Sequence, residues 1–163
     1  MFDFFDSKNI GQSYKGFTLL SIDDIPDYKA KGLFLRHKRT GLEVYHIVKD
    51  DKENLFAFAF RTVSKDSLGT AHIMEHSTLC GSEKYPLKEP FVTLASTSLN
   101  TFLNALTYPD KTVYPGASLV RDDYFNMMDV YGDAVFFPKL DHATFIQEGH
   151  RLEMDDKGKL SIQ

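Results

Sequence analysis

The 163 residues include 19 Lys+Arg against 23 Asp+Glu, a formal charge of −4 at pH 7, and the length suits a single domain spanning residues 1–163. With 42% apolar and 26% charged residues, the composition is that of an ordinary globular chain, which excludes disordered and fibrous classes. A pI near 5.8 and the absence of any Lys/Arg block longer than a pair argue against nucleic acid or an anionic membrane as the main partner.

The start, Met1-Phe2-Asp3-Phe4-Phe5-Asp6, has neither the basic end and apolar stretch of a secretion signal nor the Arg-rich character of a transit peptide. The longest apolar runs, Leu55 to Phe60 and Ala134 to Phe137, are far too short to cross a bilayer. Cys80 stands alone, so no internal disulfide forms. A soluble, cytoplasmic protein is the expectation.

Residues 1–13 read as an arm. Tyr14 to Ile22, Gly32 to His37 and Leu42 to Val48 are strand-like, the last two flanking a hairpin turn at Lys38-Arg39-Thr40-Gly41. After a charged turn at residues 50–54, Phe56, Phe58 and Phe60 alternate with Ala57, Ala59 and Arg61. This predicts a strand buried on one face and closely covered on the other. Thr70 to Cys80 loses the alternation, with Ser67 or Thr70 as N-cap and Gly81 as the stop, and predicts a helix. Pro86 and Pro90 mark a loop. Thr101 to Thr107 and Thr112 to Ser118 form a strand pair around residues 108–111. Arg121 to Phe137 is the clearest helix, with Tyr124, Met127, Tyr131 and Ala134 at steps of three or four, acids in its first turn and Pro138 beyond it. Asp141 caps a short helix through Glu148, and Arg151 to Met154 and Lys159 to Ile162 return as strands. The order of elements predicts an α+β fold, a mostly antiparallel sheet packed with helices.

One constellation carries chemistry: His72-Ile73-Met74-Glu75-His76. On a helix, His72 and His76 are i, i+4 neighbours whose imidazoles leave one face about 5–6 Å apart at Cβ. That separation lets two neutral imidazoles meet one Zn²⁺ at about 2.0–2.1 Å. Glu75, i+3 from His72, shares the arc and can accept a proton from water at the metal without displacing either histidine. The order is the inverse of the more familiar zinc-protease helix. From 6 His and 7 Glu in 163 residues, about 0.01 chance matches are expected over the chain. The bland alternative is a surface helix carrying two histidines and a glutamate, on a non-catalytic binding or structural domain.

The motif sits in a longer pattern. Gly69-Thr70-Ala71-His72-Ile73-Met74-Glu75-His76 continues into Leu79-Cys80-Gly81-Ser82, Lys84-Tyr85-Pro86-Leu87-Lys88-Glu89-Pro90-Phe91 and Ser98-Leu99-Asn100-Thr101-Phe102-Leu103-Asn104-Ala105. Thr107-Tyr108-Pro109-Asp110-Lys111-Thr112, Asp129-Val130-Tyr131, Ala134-Val135-Phe136-Phe137-Pro138 and Gln147-Glu148-Gly149 follow. This run resembles the presequence-protease branch of the insulinase/pitrilysin zinc peptidases, densely from residue 69 to 153. The resemblance implies a clamshell enzyme of four similar α+β domains closing on unfolded peptides, of which this chain is the N-terminal part of the catalytic domain. It further implies His72 and His76 as zinc ligands, Glu75 as general base, and Leu103-Asn104-Ala105-Leu106-Thr107 as an edge strand pairing with the substrate backbone. Such main-chain pairing is nearly blind to sequence.

Working hydrolytic zinc sites take a third protein ligand. In that branch it is a glutamate on a helix beyond the strand pair that begins near Arg151, so the expectation is that it lies past Gln163. Glu148 and Glu153 are the in-chain alternatives, and Glu153 is set aside because it reads as strand. As a fragment, the chain is then expected to be inactive, to bind zinc weakly, and to self-associate through its exposed edge. Its partners would be unfolded peptides and the remaining domains of the parent chain. Cys80, i+8 from His72 and about 12 Å along the axis, cannot join both histidines at one ion and reads as a packed thiol.

Overall fold

The computed structural model describes residues 4–149, 152–154 and 157–162. They fall into two compact units, one ending at Asp51 and the other beginning at Lys52, within the charged turn.

The first unit is an antiparallel meander of β1 (Ser13–Tyr14), β2 (Phe17–Ile25), β3 (Ala30–His37) and β4 (Glu43–Val48), joined in that order. Leu19, Ala30 and Leu33 are its buried apolar side chains among the described residues. The 38–41 hairpin is present, with the Gly41 amide donating to the His37 carbonyl at 2.9 Å. The single strand expected over Tyr14 to Ile22 is split, because the chain turns back at Lys15-Gly16, both at positive φ, and pairs β1 antiparallel with β2. β2 then runs three residues further than its apolar pattern predicts. Its two acids find cross-strand partners: Lys31 Nζ meets Asp24 at 2.6 Å and the Tyr45 hydroxyl donates to Asp23 at 3.0 Å.

In the second unit, the elements follow as β5 (Asn54–Arg61), α1 (Thr70–Thr78), α2 (Pro90–Thr97), β6 (Asn100–Leu103), β7 (Leu106–Thr107), β8 (Lys111–Ser118), α3 (Arg121–Phe136), α4 (His142–Gly149), and the hairpin of β9 (Leu152–Met154) with β10 (Leu160–Ile162). β8 is the central strand. β5 pairs along one side of it, and β6 and β7 share the other. α3 packs on this sheet through buried Met127, Tyr131 and Ala134. Phe56 meets Tyr124 and Tyr131 edge-on at 5.7 and 5.8 Å between ring centroids, the arrangement aromatic quadrupoles favour. The phenylalanine face of β5 is thus the core side, as its alternation predicts. The opposite face is not closely covered: Ala57 and Ala59 are exposed.

Three local expectations in this second unit need correction. α1 is not capped by Ser67 or Thr70; it starts from Gly69, whose φ of 70° is open to glycine. Pro90 is not a loop residue but the first residue of α2, where its fixed φ suits the helix and its missing N–H is not needed. The single strand foreseen at 101–107 is two strands, interrupted at Asn104-Ala105. Past α1, Gly81 has a φ of 128° and no room for a side chain, since a Cβ there would lie 2.6 Å from the Leu87 carbonyl oxygen. The Lys139 amide donates to the Gly81 carbonyl and the Glu83 amide to that of Phe137. These bonds tie the end of α1 to the end of α3. The chain then turns into α4, which Asp141 caps through a 2.7 Å bond from the Thr144 amide. The fold is α+β with antiparallel sheets.

Candidate active site

α1 presents His72, Glu75 and His76 on one face, as the i, i+3, i+4 spacing requires. The two Nε2 atoms are 3.2 Å apart, with the rings nearly perpendicular and their centroids 4.7 Å apart. Nitrogens at that separation, each about 2.0–2.1 Å from one ion, would subtend roughly 100° at it, close to the tetrahedral angle. A carboxylate oxygen of Glu75 completes the group, every candidate ligand atom lying within 4.8 Å of the others. The donor set suits Zn²⁺, which takes neutral imidazole and carboxylate together.

Burial separates the three. Both histidines open to solvent, while Glu75 is only 6% exposed. A carboxylate that deep needs a hydrogen-bond donor, and the Thr107 hydroxyl supplies one to Oε2 at 2.5 Å. Its charge is felt further in: burial first, and then the Glu75 carboxylate, pushes the Tyr131 phenol well above its ordinary range. Tyr131 therefore remains a donor, and its hydroxyl bonds the Asn104 carbonyl at 3.3 Å.

The expected edge lies beside this group. Asn104, Ala105, Leu106 and Thr107 line the same cleft, of about 520 Å³, as the two histidines and Glu75, whereas Leu103, the fifth residue expected there, packs against the core and is not part of its lining. β6 and β7 each pair only with β8 among the described residues, so their outer side is an edge. At the break between them the Asn104 amide bonds the Pro115 carbonyl at 3.2 Å, and the Asn104 side chain accepts from the Ala105 amide at 2.9 Å. Asn104 thus satisfies its own turn, and an incoming strand must displace that side chain to reach the Ala105 N–H.

Glu148 comes to the site from α4, but on the far side of a ring. Its Oε2 is 3.1 Å from His76 Nδ1, while Oε1 accepts from Gln147 Nε2 at 2.9 Å and faces the Cys80 thiol at 3.9 Å. The two nitrogens of an imidazole point in opposite directions, so a carboxylate at Nδ1 is not at the point where the Nε2 atoms converge. Glu148 is placed to hold His76, not to ligate beside it. Glu153 is in β9, opposite Ser161. Cys80 is the packed thiol expected: burial, then the nearby Glu148 charge, pushes it up to about 11. The roles of Thr107's hydroxyl and of Glu148 at Nδ1 were not legible in the spacing of the motif, since each depends on a contact between distant elements.

The family profile described as "Insulinase (Peptidase family M16)" matches residues 61–156, the stretch that holds this whole arrangement. The chain belongs to the insulinase family, M16. Among relatives of this M16 chain, presequence protease 1, chloroplastic/mitochondrial, of Arabidopsis thaliana is 52% identical over 143 residues, covering 86% of this chain and 13% of the relative. The mitochondrial presequence protease of Drosophila melanogaster is 42% identical over 157 residues, covering 94% and 15%. That of Mus musculus is 42% identical over 147 residues, covering 90% and 14%. The chain therefore spans about a seventh of the length of these relatives. A crystal structure of pitrilysin aligns over 83% of this chain and 15% of its own at a TM-score of 0.70 and 23% identity, which shows the fold. No helix among the described residues is long and apolar enough to cross a membrane.

Proposed function

We propose that this chain carries the zinc-binding and proton-transfer part of an endopeptidase that cuts short, unstructured peptides. The observation that carries the reading is the convergence of His72 Nε2 and His76 Nε2 at 3.2 Å beside a buried carboxylate. His72 and His76 would hold the metal, and Glu148 fixes the His76 ring through Nδ1. Zinc held there supplies a Lewis acid for the scissile carbonyl and lowers the pKa of the attacking water. Glu75 takes the proton of that water and returns it to the leaving amine. The outer edge of β6 and β7 receives the peptide backbone as an added strand, which favours extended, unfolded substrates.

Hydrolytic zinc sites use three protein ligands, and among the described residues two histidines and Glu75 form the metal-competent group. With Glu75 reserved for proton transfer, we assign the third ligand to sequence outside the described residues. Taken alone, they fold, bind zinc weakly and cleave nothing, and their open edge pairs with a second copy. The other domains of the longer protein are the partners this part requires. The single cysteine fits a reducing compartment such as the cytoplasm, and the organelles in the relatives' names are the competing location.

The test uses the intact protein that carries these residues. Purified with zinc, it cleaves an unstructured peptide, and Glu75→Gln keeps the metal while losing about 10²–10⁴-fold in turnover, the usual weight of a general base. Near-normal turnover by Glu75→Gln would move the base elsewhere. Zinc binding by an intact protein that cleaves nothing would make this a non-catalytic binding domain.

A further inference from the structure

We infer that Thr107 is a positioning residue for Glu75, through its hydroxyl rather than its backbone, so that one two-residue strand both presents an edge to the peptide and orients the proton acceptor. The inference rests on the reading of Glu75 as the base.

Glu75 is held from two sides of unequal kind. Its main chain belongs to α1, and its side chain is free to rotate about three bonds except where something grips the carboxylate. Thr107 Oγ1 donates to Oε2 at 2.5 Å. A hydroxyl donor on one oxygen sets the carboxyl plane and leaves the other oxygen as the acceptor for water, which is the arrangement a positioned base needs.

Thr107 is itself firmly placed. β7 pairs with β8 through Leu106 opposite Val113 and Thr107 opposite Thr112. Thr112 is 3% exposed and its hydroxyl is bonded to that of Thr62 at 2.7 Å. The Tyr108 amide closes the following turn on the Lys111 carbonyl at 2.8 Å. The hydroxyl is thus carried by a strand fixed on its inner side, whose outer side is the edge offered to substrate. A peptide registered on that strand is registered against the base as well. Thr107→Val keeps the branched shape and removes only the donor. Thr107→Ser keeps the donor and removes a methyl.

The experiment compares Thr107→Val, Thr107→Ser and Glu75→Gln in the intact, zinc-loaded protein, with zinc affinity and melting temperature measured on each. The expected result is a fall in kcat of about 10–100-fold for Thr107→Val, taking as a guide the range known for the hydrogen-bond partners of metal ligands. KM and zinc affinity stay within about twofold, and Thr107→Ser keeps most of kcat. Thr107→Val also adds no further loss on top of Glu75→Gln. Unchanged kcat in Thr107→Val overturns the inference. So does equal damage from Thr107→Ser, or a loss confined to KM, because either would assign the residue to packing or to backbone binding. If Glu75→Gln itself keeps normal turnover, the general-base reading fails instead. In that case a kcat loss specific to Thr107→Val would have no base to act through, and the inference falls with it.

Discussion

Tyr131→Phe isolates one of the bonds that hold the edge strand. The Tyr131 ring is 1% exposed and lies in the aromatic cluster with Phe56 at 5.8 Å and Phe91 at 6.3 Å, contacts the variant keeps. Only the hydroxyl is lost, and with it the 3.3 Å bond to the Asn104 carbonyl. A net hydrogen bond contributes about 0.5–1.5 kcal/mol. At 3.3 Å this bond is long, and Asn104 is an exposed residue, so the lower half of that range applies. For a chain of this size, about 1 kcal/mol shifts the melting temperature by roughly 2–4 °C. Tyr131→Ala removes the ring as well and costs about 3–5 kcal/mol. Thermal unfolding followed by circular dichroism separates the two. A peptide assay on the intact protein adds a functional reading: loosening Asn104-Ala105 raises KM more than it lowers kcat. If Tyr131→Phe matches the parent in both assays, the hydroxyl does not hold the edge. If it is as damaging as Tyr131→Ala, the ring packing has been misjudged.

Gly116→Ala places a Cβ 2.7 Å from Phe56 Cζ and 3.3 Å from Leu103 Cδ1, so a core ring must shift; a loss of about 1–3 kcal/mol in denaturant unfolding is expected. Asp129 is held below the ordinary carboxylate range by hydrogen bonds from Lys84 and then Tyr85. A depressed folded pKa adds stability above the unfolded value, about 3.9, and that stability is lost as pH falls through the folded one. The stability gap between parent and Asp129→Asn is therefore steady from pH 7 to about 5 and closes in stronger acid, as denaturation at stepped pH would record. With its thiol raised to about 11, Cys80 should resist iodoacetamide in the folded chain at pH 8, where only about one molecule in a thousand is thiolate. Mass spectrometry of the alkylated protein reads this, and rapid labelling would contradict the half-buried, acid-flanked setting.

How far the sequence carried the account depends on whether a feature is local. α1 with its two histidines, the α3 stripe of Met127, Tyr131 and Ala134, and the Asp141 cap all depend on spacing within one element, and spacing is visible in a linear string. Pro90 misled because proline both breaks a helix and begins one, and which applies depends on what precedes it. The break at Asn104-Ala105 was hidden by a continuous β-prone run. It arises because the Asn104 side chain competes for a backbone amide. The bond from Thr107 to Glu75 spans 32 residues and that from Glu148 to His76 spans 72. Such partners emerge only when β7 and α4 are laid against α1. Ala57 and Ala59 show the converse case, small residues that suggested a cover the described residues do not provide.

The proposed function stands or falls on whether His72 and His76 bind one zinc ion through the nitrogens that face each other. X-ray absorption at the zinc edge, on the intact protein loaded with one equivalent of metal, tests it directly. Two imidazole nitrogens at about 2.0–2.1 Å are expected, falling to one in either His72→Ala or His76→Ala. A zinc environment unchanged by both substitutions would contradict it.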